Sequence, residues 1–300
     1  MHPFFKTLTV LGIAAVVSGQ PALVEAHSPQ ASNGIRRTVI GPMQARDYFN
    51  RGLSKVVQRD YTGAIADFTA AIKQEPELVE GYYNRALVHD VMGSYQDAVR
   101  DYGQAIKLRP DYVEAYVNRG AAHLEHGNYD AAIADLDRAL KLNPRDGLAY
   151  SNRGNARLGK GDLRGAITDY NEALELEPRD AYALYNRGNA RFLLEEHKAA
   201  IADFDQAIAL NPKYGKAYNN RGLARYQLGD AKGAIADWET ALRIDPNDAY
   251  AYTNRGYVRY EAGDEAGALK DFQRAADLFA EQGETASYQK ALDTIEAMKR

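Results

Sequence analysis

Three hundred residues, 45% hydrophobic and 26% charged, make a chain long enough to bury a sizeable core. A net charge of −4 supplies no global basic field for nucleic acid or an anionic membrane surface. The absence of cysteine excludes disulfides, thiolate zinc sites, a cysteine nucleophile and a lipidated cysteine.

The first residues, MHPFFK, carry one lysine; an uncharged, mostly apolar run of 13 residues (7–19) follows, and PALVEA ends on a small residue. That three-part layout predicts a secretory signal peptide over residues 1–26, cleaved after Ala26. The apolar run is short of the roughly 20 residues a membrane-spanning helix needs, so the mature chain is expected to have no membrane span. An uncleaved anchor is the alternative. Cleavage removes Lys6 and Glu25, one charge of each sign. Residues 27–44 mix Pro, Gly, Ser and Asn without helical periodicity and read as a flexible lead-in.

From residue 45 a period takes over. Asn-Arg-Gly or Asn-Arg-Ala begins at Asn50, Asn84, Asn118, Asn152, Asn186, Asn220 and Asn254, always 34 residues apart. Counting each repeat from five residues before its asparagine gives 45–78, 79–112, 113–146, 147–180, 181–214, 215–248 and 249–282. Place four is tyrosine except at Leu184, place eight is Gly or Ala, and places twenty and twenty-seven are alanine throughout. Place twenty-four is always large (Phe68, Tyr102, Leu136, Tyr170, Phe204, Trp238, Phe272). Place thirty-two is proline in six repeats, Pro76 through Pro246, and Ala280 in the last.

Each repeat reads as two helices. The first, for example Tyr218 to Leu228, ends in most repeats at Gly-Asp or Gly-Asn, where glycine suits a left-handed cap. The second, for example Ala231 to Ile244, shows apolar residues at i, i+3, i+4 and i+7 and stops before proline. Glycine costs a helix interior about 1 kcal/mol relative to alanine, so its recurrence at place eight implies close packing, with place twenty-four filling the space between helices. After residue 282, Tyr288, Leu292, Ile295 and Met298 form one helical stripe, and residues 283–300 are expected to cap the open face of the last repeat.

This spacing and these columns resemble the tetratricopeptide repeat. The resemblance covers residues 45–282 and implies an all-α, right-handed superhelical solenoid of seven helix-turn-helix repeats with a C-terminal capping helix. The turn LEEHKA departs from it, since Glu195 and His197 replace the usual glycine and aromatic.

With about 100° per residue, places four, seven and eleven cluster on one side of the first helix, facing the second helix. Places two, five, six, nine, twelve and thirteen cluster opposite. In the family resembled, that opposite side lines a concave groove where extended peptides bind. The recurring asparagine at place six has both a donor and an acceptor and, as in similar proteins, could pair with the backbone of a bound chain. The other reading is that each asparagine bonds the backbone of its own or the neighbouring repeat. Groove places also hold Phe49, Tyr83, Tyr182, Tyr185, Phe192, Tyr226, Tyr250, Tyr257 and Tyr260, concentrated in the last three repeats. The expected peptide contacts are therefore the seven asparagines with Tyr185, Asn189, Phe192, Tyr226, Tyr257 and Tyr260.

Arginine fills place seven in every repeat and aspartate fills place twenty-three (Asp67, Asp101, Asp135, Asp169, Asp203, Asp237, Asp271). A charge facing a core needs a partner, so an Arg-Asp ladder within or between repeats is expected. Place eleven (Lys55, His89, His123, Arg157, Arg191, Arg225, Arg259) would share those aspartates or point outward. His123 and His126 form a helical pair without a further metal ligand, and no G-x-S-x-G, phosphate loop or H-E-x-x-H occurs. Lysine is absent from place five and asparagine fills place six, so the family's clamp for chaperone C-terminal acids is missing.

The pattern implies a non-catalytic adaptor without cofactor or metal, holding an extended segment of a protein or peptide partner, with no nucleic acid involved. The export signal with this repeat class implies the periplasm or secretion. Alternatives are a self-associating scaffold whose end helix docks in another copy's groove, and a regulatory subunit of an envelope enzyme.

Overall fold

The computed structural model describes residues 43–298. The expected signal peptide and nearly all of the lead-in lie outside the described residues, as do 299 and 300. The described chain divides into two compact units, residues 43–160 and 161–298.

The first unit consists of α1 (Ala45–Val57), α2 (Tyr61–Gln74), α3 (Val79–Val91), α4 (Tyr95–Leu108), α5 (Val113–Glu125), α6 (Tyr129–Leu142) and α7 (Gly147–Gly159). The second consists of α8 (Leu163–Leu176), α9 (Ala181–Leu193), α10 (His197–Leu210), α11 (Gly215–Gln227), α12 (Ala231–Ile244), α13 (Ala249–Glu261), α14 (Glu265–Glu281) and α15 (Thr285–Met298). No strand occurs among the described residues. The helices pack as hairpins: α1 with α2, α3 with α4 and α5 with α6 in the first unit, α9 with α10, α11 with α12 and α13 with α14 in the second.

The turns follow from local chemistry. Gly93, Gly127, Gly161, Gly229 and Gly263 follow first helices with φ between 71° and 85°, a left-handed conformation only glycine adopts without strain. Aspartates at the next place, such as Asp162, Asp230 and Asp264, accept from the third amide of the following helix and cap it, each cap contributing about 1 kcal/mol. Two turns have no glycine: Arg59 and Glu195 take φ of 60° and 62° themselves, a strain of about 1–2 kcal/mol each. The second helices end two residues before proline, and the capping residues between, Glu75, Arg109, Asn143, Glu177, Asn211 and Asp245, have ψ between 78° and 97°. Steric pressure from the proline ring drives each of them out of the helical region. Ala280 applies no such pressure, and α14 runs on for 17 residues where its counterparts have 14.

The core repeats with the period. Alanines at places twenty and twenty-seven are almost completely buried, and so is every bulky place twenty-four. Place eight sits directly over that bulky group. A β-carbon at Gly188 would stand 2.7 Å from the Phe204 ring, one at Gly52 2.6 Å from Phe68 and one at Gly120 2.9 Å from Leu136. The glycine therefore lets a full ring bury against helix backbone, a gain of roughly 1.5–3 kcal/mol per large side chain that outweighs its propensity cost.

The helical wheel described the first helices incompletely. Places three, eight and ten are the most deeply buried, for example Ala183, Gly188 and Ala190. Place five is buried as well, at Phe49, Tyr83, Val117, Tyr185 and Asn219. The reason is that a first helix packs on its own second helix, on the preceding second helix (α10 against α11) and on a neighbouring first helix (α9 against α11). A wheel drawn with one partner assigns the remaining faces to solvent.

The terminal helix covers the last hairpin. Ala291 and Ile295 of α15 are buried against Phe279 and Phe272, with Tyr288, Leu292 and Met298 packed alongside. The expected stripe thus lies on α14.

Candidate interaction surface

Two rows of polar side chains run along the first helices of each unit, and exposed apolar side chains recur at the ends of those helices. In the first row, Arg51 pairs with Asp67, Arg85 with Asp101, Arg119 with Asp135, Arg187 with Asp203, Arg221 with Asp237 and Arg255 with Asp271. Each partner belongs to the arginine's own repeat. Nε and Nη2 both engage the carboxylate, as in Arg255 at 2.8 and 2.6 Å. Arg51 holds the Asp67 carboxyl below the usual carboxylate range. Place eleven adds a second cation: Lys55, Arg191, Arg225 and Arg259 reach the same aspartates at 2.8–3.0 Å.

The remaining arginine nitrogen points to the preceding repeat. Nη1 of Arg85 donates to Thr69, that of Arg187 to Asn171 and that of Arg221 to Asp205, at 2.9, 2.7 and 2.5 Å. Arg153 reaches Asp137 in the same way at 2.6 Å. One side chain therefore ties three helices. Place-four tyrosines lie under these guanidinium groups, for example Tyr218 at 5.2 Å from Arg221, a cation–π contact of about 0.5–1 kcal/mol. The sequence spacing pointed to the carboxylate; it did not reveal the third nitrogen's partner, because place twenty-five changes from repeat to repeat.

The second row is the asparagines. Asn84 Nδ2 donates to the Glu80 carbonyl at 2.8 Å, and Asn118 Nδ2 to the Tyr83 hydroxyl at 2.8 Å. Asn220 Nδ2 donates to Tyr185 Oη and to Asn189 Oδ1, at 3.1 and 2.7 Å, and Asn254 Nδ2 to Asn219 Oδ1 at 3.2 Å. Asn152, Asn186, Asn220 and Asn254 are buried, while Asn50 is exposed. Asn84 bonds the backbone of its own repeat, whereas the other three amides bond side chains of the preceding repeat, an arrangement neither reading described.

The expected aromatic contacts separate by depth. Tyr185 is 2% exposed, with its ring 4.8 Å from that of Tyr214 and 5.9 Å from that of Phe204. Phe192 and Asn189 are buried too. Tyr226 is half-buried and donates to Glu261 at 2.6 Å, and burial with that carboxylate pushes its hydroxyl up to about 12. Tyr257 is half-buried edge-on to Phe272, and Tyr260 is exposed.

The apolar set emerges from exposure alone. Among the described residues the large apolar side chains left exposed are Val57, Val91, Met92, Leu148, Tyr182, Leu193, Leu228 and Tyr260, all on first helices or the residue capping them, together with Leu108 on α4. Val57 is 83% exposed and Tyr182 52%. Those on or capping first helices occupy places two and twelve to fourteen. The wheel had assigned most of these places outward, so the aliphatic members were within reach of sequence reasoning that followed the aromatics only. Among the described residues no cluster of three or more His, Asp or Glu is arranged to hold a metal.

Family profiles described as Tetratricopeptide repeat match residues 49–91, 83–147 and 181–214, and one described as TPR repeat matches 154–195 and 222–263. Together they span more than half of the chain. Among solved structures, a tetratricopeptide repeat protein from Parabacteroides merdae ATCC 43184 is 19% identical with a TM-score of 0.67, over 83% of this chain and 98% of its own. MamA is 28% identical with a TM-score of 0.51, over 55% of this chain and 96% of its own. YrrB, a TPR protein with an unusual peptide-binding site, is 21% identical with a TM-score of 0.53, over 61% and 95%. No curated protein matches the chain.

Proposed function

The chain belongs to the tetratricopeptide repeat family, and on that premise we propose that it is a non-catalytic adaptor holding an extended segment of a partner protein along its first helices. The reading is carried by the exposed apolar side chains, which come almost wholly from first helices. Exposed apolar side chains that recur on successive first helices offer hydrophobic contacts to a partner's segment. Leu148 serves one unit in this role, and Tyr182, Leu193 and Tyr260 serve the other, with the half-buried Tyr226 and Tyr257 as further contacts. The asparagine row works one layer below: its carboxamides hold neighbouring first helices in place and so set the spacing of the contact residues. Export of the chain through residues 1–26 places this adaptor in the periplasm or outside the cell. Self-association by α15 would require that helix to leave Phe272 and Phe279, which disfavours the scaffold alternative.

The test is crosslinking capture with the mature chain, compared with a Leu148→Ser, Tyr182→Ser, Tyr260→Ser variant. All three side chains are exposed, so the circular dichroism of the variant should match the parent. Capture should fall about tenfold or more, the loss expected when several apolar anchors are removed. Equal recovery of the same partner by both proteins would overturn the reading.

A further inference from the structure

Between α13, α14 and α15 lies a partly open cavity of about 170 Å³. Its walls are the rings of Tyr250, Tyr257, Phe272 and Phe279, with Ala286, Ser287, Lys290 and Ala291 lining the α15 side and Ala286 exposed at its edge. The rings form two edge-to-face pairs, Tyr250 with Phe279 at 5.1 Å and Tyr257 with Phe272 at 4.9 Å. We propose that this cavity is a binding site for one uncharged aromatic ring, the phenylalanine side chain of a segment lying on the first helices. The site rests on the adaptor reading for its ligand's source, and on its own geometry for the ring.

Volume selects the ligand first. A cavity of about 150 Å³ in an apolar core takes benzene, whereas metabolite sites run to about 300–1,000 Å³. One ring fits here and a cofactor does not. Polarity then narrows the choice. The hydroxyls in the lining are already engaged: Tyr250 donates to Glu284 at 2.5 Å, Ser287 to Glu284 at 3.0 Å and Thr253 to the Ala249 carbonyl at 2.9 Å, while Tyr257 faces Thr294 at 3.4 Å. A ligand bringing its own hydroxyl would have to displace one of these bonds. Charge closes the argument. The exposed Lys290 of α15 lines the cavity, and Glu284, just before that helix, already accepts from Tyr250 and Ser287, so a cationic side chain finds no free carboxylate there. An edge-to-face position against a wall ring is worth about 0.5–1.5 kcal/mol beyond area burial, which favours a ring over an aliphatic group.

The test has two arms on the mature chain. In the first, toluene is titrated against the isotope-labelled protein and amide shifts are followed by NMR. Saturable shifts should centre on Thr253, Ala286 and Ala291. Ala286 is exposed, so Ala286→Phe should fold normally and plug the mouth, weakening toluene about tenfold or more, while Ala286→Ser should bind as the parent does. Absence of saturable shifts in the parent, or equal toluene binding by Ala286→Phe, overturns the site whatever the first helices do. In the second arm a random dodecapeptide display library is selected on the parent and on Ala286→Phe. Parent-selected peptides should carry phenylalanine at a fixed position, and that preference should vanish in the variant while peptide binding persists. Peptides selected equally by both proteins without a ring preference overturn the proposed ligand and leave the adaptor reading standing. Toluene binding with no peptide selected by either protein supports the ring site and defeats the adaptor reading.

Discussion

At Gly188 two local rules oppose each other, and the outcome is measurable. Replacing a helical glycine by alanine normally stabilises by about 1 kcal/mol. Here the new methyl group would stand 2.7 Å from the Phe204 ring, inside any ordinary contact, and overpacking of that kind costs about 1–3 kcal/mol. Gly188→Ala should therefore lower stability by about 1 kcal/mol in urea unfolding, against the propensity trend. Gly256→Ala, whose methyl would meet Phe272 at 3.1 Å, should cost less. This residue was legible from the sequence because both partners recur at fixed places. Tyr185 was not. Its column reads as solvent-facing on an isolated helix, and only the neighbouring first helix, through Asn220, shows that it is interior. Asn189 is interior for the same reason, and Phe192 through its contact with His197 on α10.

Among the elements, α3 and α5 differ from the other first helices in carrying histidine at place eleven. His89 and His123 stand 3.9 Å from Asp101 and Asp135, where lysine or arginine elsewhere makes a close bond. Burial, opposed by those aspartates and reinforced by Arg85 and Arg119 respectively, holds both rings below their ordinary value of 6.5. The surroundings suit the neutral form: Nδ1 of His89 is buried without a hydrogen-bond partner, and Nδ1 of His123 meets the Tyr95 hydroxyl at 2.7 Å. A base whose folded pKa is lowered contributes stability that is complete above its unfolded value and declines as pH falls below it. The first unit should accordingly lose stability below about pH 6.5, and a His89→Gln, His123→Gln variant should lose less between about pH 7 and 5 in urea unfolding monitored by far-ultraviolet circular dichroism. Asp90 acts oppositely. Burial raises its carboxyl to about 6 despite the bond from Tyr102, so its contribution declines as pH rises through that range, and the comparison with the double variant isolates the histidines. The sequence identified place eleven as charged or titratable; the distance that distinguishes histidine from arginine there required coordinates.

At the scale of the molecule, a repeat array ends wherever its last apolar face is covered. Here α15 covers it, with Ala291 and Ile295 buried on the last hairpin. Truncation after Glu284 should expose Phe272 and Phe279, raise binding of the dye ANS and promote aggregation; a truncated chain that stays monomeric with unchanged dye fluorescence would refute that role. The all-helical architecture was legible because a 34-residue period repeats each packing rule seven times, so chance agreement is averaged out. Surface function is averaged out with it, since contact residues differ between repeats by design of their task.

The three-way arginines also bear on how each unit answers a mechanical load. Arg221 grips α12 through a carboxylate only 4% exposed, but reaches back to α10 through Asp205, whose side chain is 50% exposed. Dissolved ions screen the second grip far more than the first. Tension along such a unit would extend the spaces between hairpins before it opened any hairpin, and its compliance would rise with salt. Each unit would then act as a spring whose stiffness is set by its surroundings, with its hairpins left closed.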